Sequence, residues 1–241
     1  MKGIILAGGK GTRLLPLTKI TSKQLLPVYN RQMIHYPLNT LVQGGIKEIL
    51  IITSPEYKDQ YEILFGDGVG LGLSIQYAIQ PEARGLAEAF IIGESFIGND
   101  TVALILGDNI FEDNFNEDIQ SFTGGARLFA KQVADPERFG VVQFDKDNNV
   151  LSIEEKPLVP KSDFAVTGLY LYDSRVISFA KALSPSVRGE LEIVDLHNAY
   201  LSLGELDVRI FSGIWEDAGT FDSLLRAGEI AKEYLSNKLI I

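Results

Sequence analysis

A glycine-rich turn, Leu6-Ala7-Gly8-Gly9-Lys10-Gly11-Thr12-Arg13, follows directly on a short apolar run near the start of the 241-residue chain. The chemistry open to such a turn is anion binding. Glycine adds no Cβ bulk and tolerates positive φ, so backbone N–H groups can converge on an anion. Arg13 can grip phosphate oxygens bidentately, and Lys23 adds a second point charge a short way on. Two carboxylates complete the set: Asp108, after the apolar run Val102–Leu106, and Asp217, before the last helical pattern. Hard oxygen ligands of this kind can share a Mg²⁺ that fills its remaining positions from substrate phosphates. Each residue alone has a plainer reading, since Asp is a common turn and N-cap residue and loop cations are usually just solvated. Two familiar templates fail. A P-loop needs Ser or Thr after its Lys, and here Gly11 follows Lys10; the dinucleotide fingerprint needs Gly or Ala at Leu14 and an acid near the end of the second strand, where the first acid, Glu48, stands at that strand's start.

The charge distribution fits a compact anion. Seven basic residues and no acid lie between Met1 and Lys47, leaving the other 15 of the 22 basic residues and all 32 acids to the rest of the chain. The net charge of −10 disfavours nucleic acid and anionic membrane as partners. The longest apolar run, Val102–Leu106, is far short of the ~20 residues a membrane-spanning helix needs, and no signal-peptide core precedes the glycine turn. Without cysteine there is no disulfide, thiolate nucleophile or Cys-zinc site, and His35 and His197 sit in apolar helical patterns that read as structural. A cytoplasmic location follows as the expectation.

These residues require elements to hold them. Continuous apolar runs at Gly3–Ala7, Glu48–Thr53, Leu73–Ile79 and Thr101–Leu106 read as strands covered on both faces, with helices at Met33–Gln43, Pro55–Phe65 and Leu86–Phe96 between them. This alternation predicts an α/β fold with a Rossmann-like, mostly parallel mixed sheet flanked by helices. An antiparallel excursion is expected around residues 127–172, from strands at Arg127–Val133 and Val141–Phe144, a polar turn at Asp145–Asn149, and strands at Val150–Glu155 and Phe164–Tyr172. Helices at Ser174–Leu183 and Glu192–Leu203, a strand at Leu206–Phe211 and a last helix from Phe221 to about Ser236 follow. With no repeat or linker, residues 1–241 read as a single domain.

The continuation of the opening turn, Arg13-Leu14-x-Pro16-Leu17-Thr18 and then Lys23-Gln24-Leu25-Leu26-Pro27-Val28, resembles the signature of the sugar-phosphate nucleotidyltransferases, most closely those that transfer thymidylyl to glucose 1-phosphate. Further blocks continue the resemblance over nearly the whole chain: Gln80-Pro81 with Gly85-Leu86-Ala87, Leu106-Gly107-Asp108-Asn109, Arg138-Phe139-Gly140-Val141-Val142, Glu154-Glu155-Lys156-Pro157, Ala165-Val166-Thr167-Gly168-Leu169-Tyr170 and Trp215-Glu216-Asp217-Ala218-Gly219-Thr220. It implies that dTTP and α-D-glucose 1-phosphate give dTDP-glucose and pyrophosphate by Mg²⁺-assisted in-line attack on the α-phosphate. UTP, another sugar 1-phosphate, or a non-catalytic nucleotide-sugar-binding subunit stay open as alternatives, and a homo-oligomer is compatible.

Carried onto this sequence, the resemblance implies Arg13, Lys23, Asp108, Lys156 and Asp217 as the catalytic set, with Asp108 and Asp217 on the metal. It implies Leu6, Gly8, Gly9, Gly11, Thr12, Arg13, Gln24, Gln80, Pro81, Gly85, Asp108 and Asn109 around the nucleotide. Asn109, Gly140, Glu155, Lys156 and Val166 would surround the sugar phosphate. Gln80 offers a donor and an acceptor to a pyrimidine edge, and Glu155 can accept from sugar hydroxyls. Residues 1–125 are thus expected to be mainly the nucleotide-binding half and residues 126–220 mainly the sugar-phosphate half. Trp215 is expected to pack near Asp217. The sequence departs from the family pattern at Asn30-Arg31-Gln32, at Arg84, which adds a cation beside the expected base pocket, and at Glu216 and Ala218. It also stops at Leu239-Ile240-Ile241, where longer relatives carry a helical extension, so a short form with weakened feedback control is expected.

Overall fold

A computed structural model describes residues 1–235, in which the chain forms two compact units. Both are discontinuous. The first takes Met1–Ala83, Ala103–Ser121 and the segment from Gly213 onward; the second takes Arg84–Val102 and Phe122–Ser212. The final helix is described to Leu235, and its expected end at Ser236, like Leu239–Ile241, lies outside the described residues.

In the first unit the strands Val102–Leu106, Lys2–Ala7, Glu48–Thr53 and Ser74–Ile79 lie side by side in that order. Lys2–Ala7 runs parallel to Glu48–Thr53, with Ile5 opposite Ile51, and Glu48–Thr53 runs parallel to Ser74–Ile79. Ile4, Ile5, Ile49, Ile51, Ile52, Leu104 and Ile105 are fully buried, which is why these runs carry no polar alternation. Ser74–Ile79 is different. It ends the strand order and exposes Ser74, Gln76 and Ile79, so its expected covering on both faces does not hold: it is an edge strand.

The helix expected from Met33 begins at His35 and closes at Gly44. The one expected from Pro55 opens with a 3₁₀ turn, Pro55–Tyr57, before the α-helix Lys58–Phe65. Phe221–Ile230 starts on a capping box in which Thr220 and Ser223 satisfy each other's backbone N–H, and it widens into a π-helical turn over Ala231–Leu235. Two three-residue strands have no counterpart in the sequence reading. Asn109–Phe111 and Trp215–Asp217 pair antiparallel, placing Asp217 opposite Asn109.

The second unit contains the antiparallel excursion. Val150–Glu155 pairs with Gly140–Phe144, which pairs with Phe164–Tyr172, which pairs with Ala126–Gln132; Leu206–Ile210 joins Ala126–Gln132 in parallel. The hairpin turn is held by the Asp145 carboxylate, which accepts from the amides of Asp147 and Asn149. The helix expected over Leu86–Phe96 is instead two short helices, Glu88–Ile92 and Glu94–Ile97, because Gly93 ends the first. His197, on the helix Ile193–Ser202, is buried against the rings of Tyr170 and Tyr172. No helix among the described residues is long and apolar enough to cross a membrane.

Candidate active site

The glycine turn in the first unit uses the conformations its composition permits. Gly9 and Gly11 have φ of 101° and 56°, and Gly11 precedes the 3₁₀ turn Thr12–Leu14. Thr18 Oγ1 donates to the Gly11 carbonyl at 2.8 Å, and Leu14 is fully buried, so the turn is anchored on both sides of the exposed Arg13. A Cβ on Gly8 would lie 3.0 Å from Gln80 Oε1, and one on Gly11 would lie 3.3 Å from Lys23 Cβ. The turn and nearby Lys23 therefore meet Gln80, which lies far along the chain. Gly107 sits against the same region: its amide donates to Leu6 O at 3.0 Å, and a Cβ there would come 2.9 Å from Gln24 Cγ.

Both aspartates are in this unit. Lys23 Nζ ion-pairs with Asp108 Oδ2, and Asn109 Nδ2 donates to Asp108 Oδ1 at 3.2 Å. Trp215 Nε1 donates to Asn109 Oδ1 at 2.6 Å, so Trp215 does more than pack near Asp217: it fixes which way the Asn109 amide faces. The Ala218 amide donates to the Asp108 carbonyl at 3.0 Å. A Cβ on Gly219 would lie 2.8 Å from Arg13 Nη2 and 3.1 Å from Asp217 Oδ1, which puts the guanidinium beside that carboxylate. Burial works to raise the Asp108 pKa, but the Lys23 ammonium and the Asn109 amide outweigh it and hold the carboxyl below its ordinary value. Asp217 is pushed the other way by burial and then by the charge on Asp108, against the weaker pull of Lys23 and Arg13.

These residues fit a divalent cation. Asp217 Oδ1 is buried and has no hydrogen-bond partner. No group of three or more His, Asp or Glu among the described residues could hold an ion from protein alone. Two facing carboxylates, one with an orphaned oxygen, match an ion that takes the rest of its shell from phosphates and water.

Of the expected sugar-phosphate residues, Gly140, Glu155, Lys156 and Val166 are in the second unit, whereas Asn109 is in the first, beside Asp108. Gly140 lies opposite Glu155 in one ladder and opposite Val166 in the next. A Cβ on Gly140 would stand 3.6 Å from Glu155 Oε2 and 3.8 Å from Val166 Cβ, so the three share one patch of sheet. Lys156 has φ of 44°, held by its amide donating to Phe139 O at 2.9 Å, and its Nζ lies 3.3 Å from Glu155 Oε1. Left-handed backbone in a residue with a Cβ is a strained state that functional positions often carry. Arg188, absent from the sequence reading, also belongs to this cluster: Nη2 lies 3.5 Å from Glu155 Oε1 and 2.8 Å from Glu192 Oε2. Arg188 lies before the helix Ile193–Ser202 and its partner Glu155 is distant in sequence, so no helical spacing marks it. Gly85, expected beside the nucleotide, packs on the Leu191 backbone. At φ of 99°, its Cβ would lie 2.3 Å from Leu191 O, and Leu191 N donates to Arg84 O at 2.7 Å.

A model of the family described as nucleotidyl transferase matches residues 2–233. The glucose-1-phosphate thymidylyltransferase of Neisseria meningitidis serogroup A is 56% identical over 238 residues, covering 96% of this chain and 83% of that protein. Its counterpart from Mycobacterium tuberculosis is 50% identical over 238 residues, covering 96% and 82%. A Bacillus anthracis protein described as a glucose-1-phosphate thymidylyltransferase, solved with sucrose, superposes with a TM-score of 0.92 at 47% identity over 97% of this chain and 96% of that one. A UDP-glucose pyrophosphorylase solved with UDP-glucose reaches a TM-score of 0.85 over 96% and 98% at 23% identity, a likeness of fold alone.

Proposed function

This chain belongs to the nucleotidyl transferase family, in its glucose-1-phosphate thymidylyltransferase branch, and from that premise we propose that it makes dTDP-glucose and pyrophosphate from dTTP and α-D-glucose 1-phosphate. A phosphate oxygen of the sugar substrate attacks the α-phosphorus of the nucleotide in line. The new P–O bond forms as the bond to the bridging oxygen breaks, and pyrophosphate leaves with that electron pair. The nucleophile is already an anion, so no Ser, Cys or His base is required, and the protein's task is to align two mutually repelling anions and stabilise charge on the transferring group.

Arg13, Lys23 and the amides of Gly8–Gly11 hold the triphosphate, with Gln24 and Asn109 beside it and Gln80 reading the base. Asp108 and Asp217 would hold Mg²⁺, which when bound offsets negative charge on the phosphates. Lys156 and Arg188 bind the sugar phosphate, and Glu155, steadied by both, accepts from sugar hydroxyls. Residues 1–125 serve mainly the nucleotide and residues 126–220 mainly the sugar phosphate, with Asp217 as the exception that returns to the nucleotide side. A cysteine-free chain acting on two phosphorylated metabolites suits the cytoplasm.

One observation carries this reading: the ladder between Asn109–Phe111 and Trp215–Asp217 sets Asp217 across from Asp108's neighbour, beside Arg13 and Lys23. The test is pyrophosphate release over a panel of nucleoside triphosphates and sugar 1-phosphates with Mg²⁺. The expected outcome is highest kcat/KM for dTTP with glucose 1-phosphate. A preference for UTP would reassign the nucleotide, and no release with any pair would defeat the enzyme reading.

A further inference from the structure

The loop that carries Lys23 and Gln24 is held from one side by two consecutive residues of the helix Lys58–Phe65. Thr21 Oγ1 donates to Gln60 Oε1 at 2.8 Å, and Tyr61 Oη donates to Ser22 Oγ at 2.8 Å. Ser22 Oγ in turn donates to Gln24 Oε1 at 2.6 Å. Tyr61, Ser22 and Gln24 are 0%, 1% and 2% exposed, so water does not compete along this chain of bonds. A serine hydroxyl has one proton; having accepted from Tyr61, Ser22 gives its own to the amide oxygen. The direction is thus set from phenol to serine to amide. It leaves Nε2, the donor end of Gln24, as the end turned away from Ser22, and an N–H donor is what a phosphate or ribose oxygen needs.

Tyr61 is itself secured, because Tyr77 Oη donates to its carbonyl at 3.2 Å and to Gly66 O at 2.7 Å. Burial, above its other influences, holds its phenol well over the ordinary tyrosine range, so it remains a donor at any working pH. No tyrosine in the proposed reaction is asked to touch substrate. A fully buried phenol aimed, through one serine, at a residue beside the triphosphate would otherwise be an ordinary core hydrogen bond.

We propose that Tyr61 is a positioning residue for nucleotide binding: through Ser22 it orients the Gln24 amide. This rests on the reading of Lys23 and Gln24 as nucleotide ligands. Substitution of the relay should therefore weaken nucleotide binding selectively and should do so only while Gln24 is present.

The experiment is calorimetric titration of dTTP with Mg²⁺ into the whole chain and into Tyr61→Phe, Ser22→Ala, Gln24→Ala and the Tyr61→Phe/Gln24→Ala double variant, with steady-state KM values for both substrates alongside. Tyr61→Phe and Ser22→Ala each raise the dTTP Kd about five- to tenfold and leave the KM for glucose 1-phosphate within about twofold, and Tyr61→Phe adds less than about twofold on top of Gln24→Ala. The serine variant breaks the same relay from the loop side, so the result does not hang on one substitution folding well. A dTTP Kd within about twofold of wild type in either folded relay variant, or an undiminished Tyr61→Phe effect in the Gln24→Ala background, overturns the proposal. Wild-type protein that binds dTTP with the expected shifts yet turns over no substrate pair would overturn the reaction and leave the relay standing. Protein that does not bind dTTP at all would overturn both.

Discussion

Asp108 and Asp217 are chemically alike and energetically opposite. Asp108 is ion-paired with Lys23, both side chains being about one-seventh exposed, and accepts from Asn109. Breaking a largely buried pair leaves an uncompensated charge, so Asp108→Asn should lower unfolding free energy by about 3 kcal/mol and also abolish turnover. Asp217 is half-buried, with one buried oxygen that no donor satisfies, and sits within the field of Asp108. Replacing that carboxylate with a neutral amide removes a destabilising charge. Asp217→Asn should therefore keep or gain stability, by about 1 kcal/mol, while kcat falls by about two orders of magnitude or more. Denaturant melts and pyrophosphate release on the two variants check the split; a destabilised Asp217→Asn protein would mean that the carboxylate is a structural ligand rather than one kept for a cation. Lys156 and Arg188 show the limit of reading single residues. The Glu-Lys-Pro block draws attention to Lys156 by its motif, whereas Arg188 earns its place only through a fold that brings Glu155 and Glu192 to it, which linear sequence does not display.

At the scale of elements, Gly85 and Thr220 are the positions where local geometry decides most. A methyl at Gly85 would meet the Leu191 backbone at 2.3 Å in a conformation that side chains rarely adopt. Gly85→Ala must then push Leu191 away and shift the neighbouring Arg188 and Glu192. It should cost about 2 kcal/mol or more and raise the KM for glucose 1-phosphate several-fold, read by melts and kinetics on the same sample. Thr220→Ala removes the capping box of Phe221–Ile230 and should cost about 1 kcal/mol, with turnover reduced far less than by any change at Asp217, three residues before it. The longer elements are legible in sequence for physical reasons. Glu48–Thr53 and Phe164–Tyr172 are runs whose side chains are nearly all buried, and Asp145–Asn149 has the side-chain chemistry of a turn. Ser74–Ile79 misleads because Leu73 and the isoleucines give an apolar average that hides exposed Ser74 and Gln76. Asn109–Phe111 and Trp215–Asp217 escape notice altogether, since three residues show no period and each needs a partner a hundred positions away. That invisible ladder is what brings the two aspartates together, so the carboxylates were legible as residue types and the pairing that joins them was not.

The acid-free first 47 residues fold into the unit that also receives Asp108 and Asp217 from later segments, so the stretch that carries basic charge and no acid shares a unit with both of those carboxylates. Elsewhere the chain buries ionisable groups without partners, and His197 is the clearest case for the stability of the whole molecule. Neither ring nitrogen has a hydrogen-bond partner; the ring lies 5.3 Å from that of Tyr170 and 6.2 Å from that of Tyr172, whose hydroxyl is also unpartnered. Burial lowers its pKa from 6.5 to about 3. Between those values the unfolded chain takes up a proton that the native state refuses, so the contribution of this residue is complete above the unfolded pKa and declines as pH falls. From pH 7 to pH 5 the loss from His197 should be about 2 kcal/mol. Asp108 and Glu192, whose carboxyls are depressed, lose their contributions only at lower pH, while Asp217, whose carboxyl is raised, acts in the opposite sense over the same interval. The wild-type curve alone therefore mixes signs, and a difference isolates the histidine. His197→Phe keeps an aromatic ring among the tyrosines and removes the titrating group. Unfolding free energy measured at pH 7 and pH 5 should fall about 2 kcal/mol further in wild type than in this variant; equal pH dependence in the two proteins would show that the native state protonates His197 after all, with water reaching a ring that packs among tyrosines.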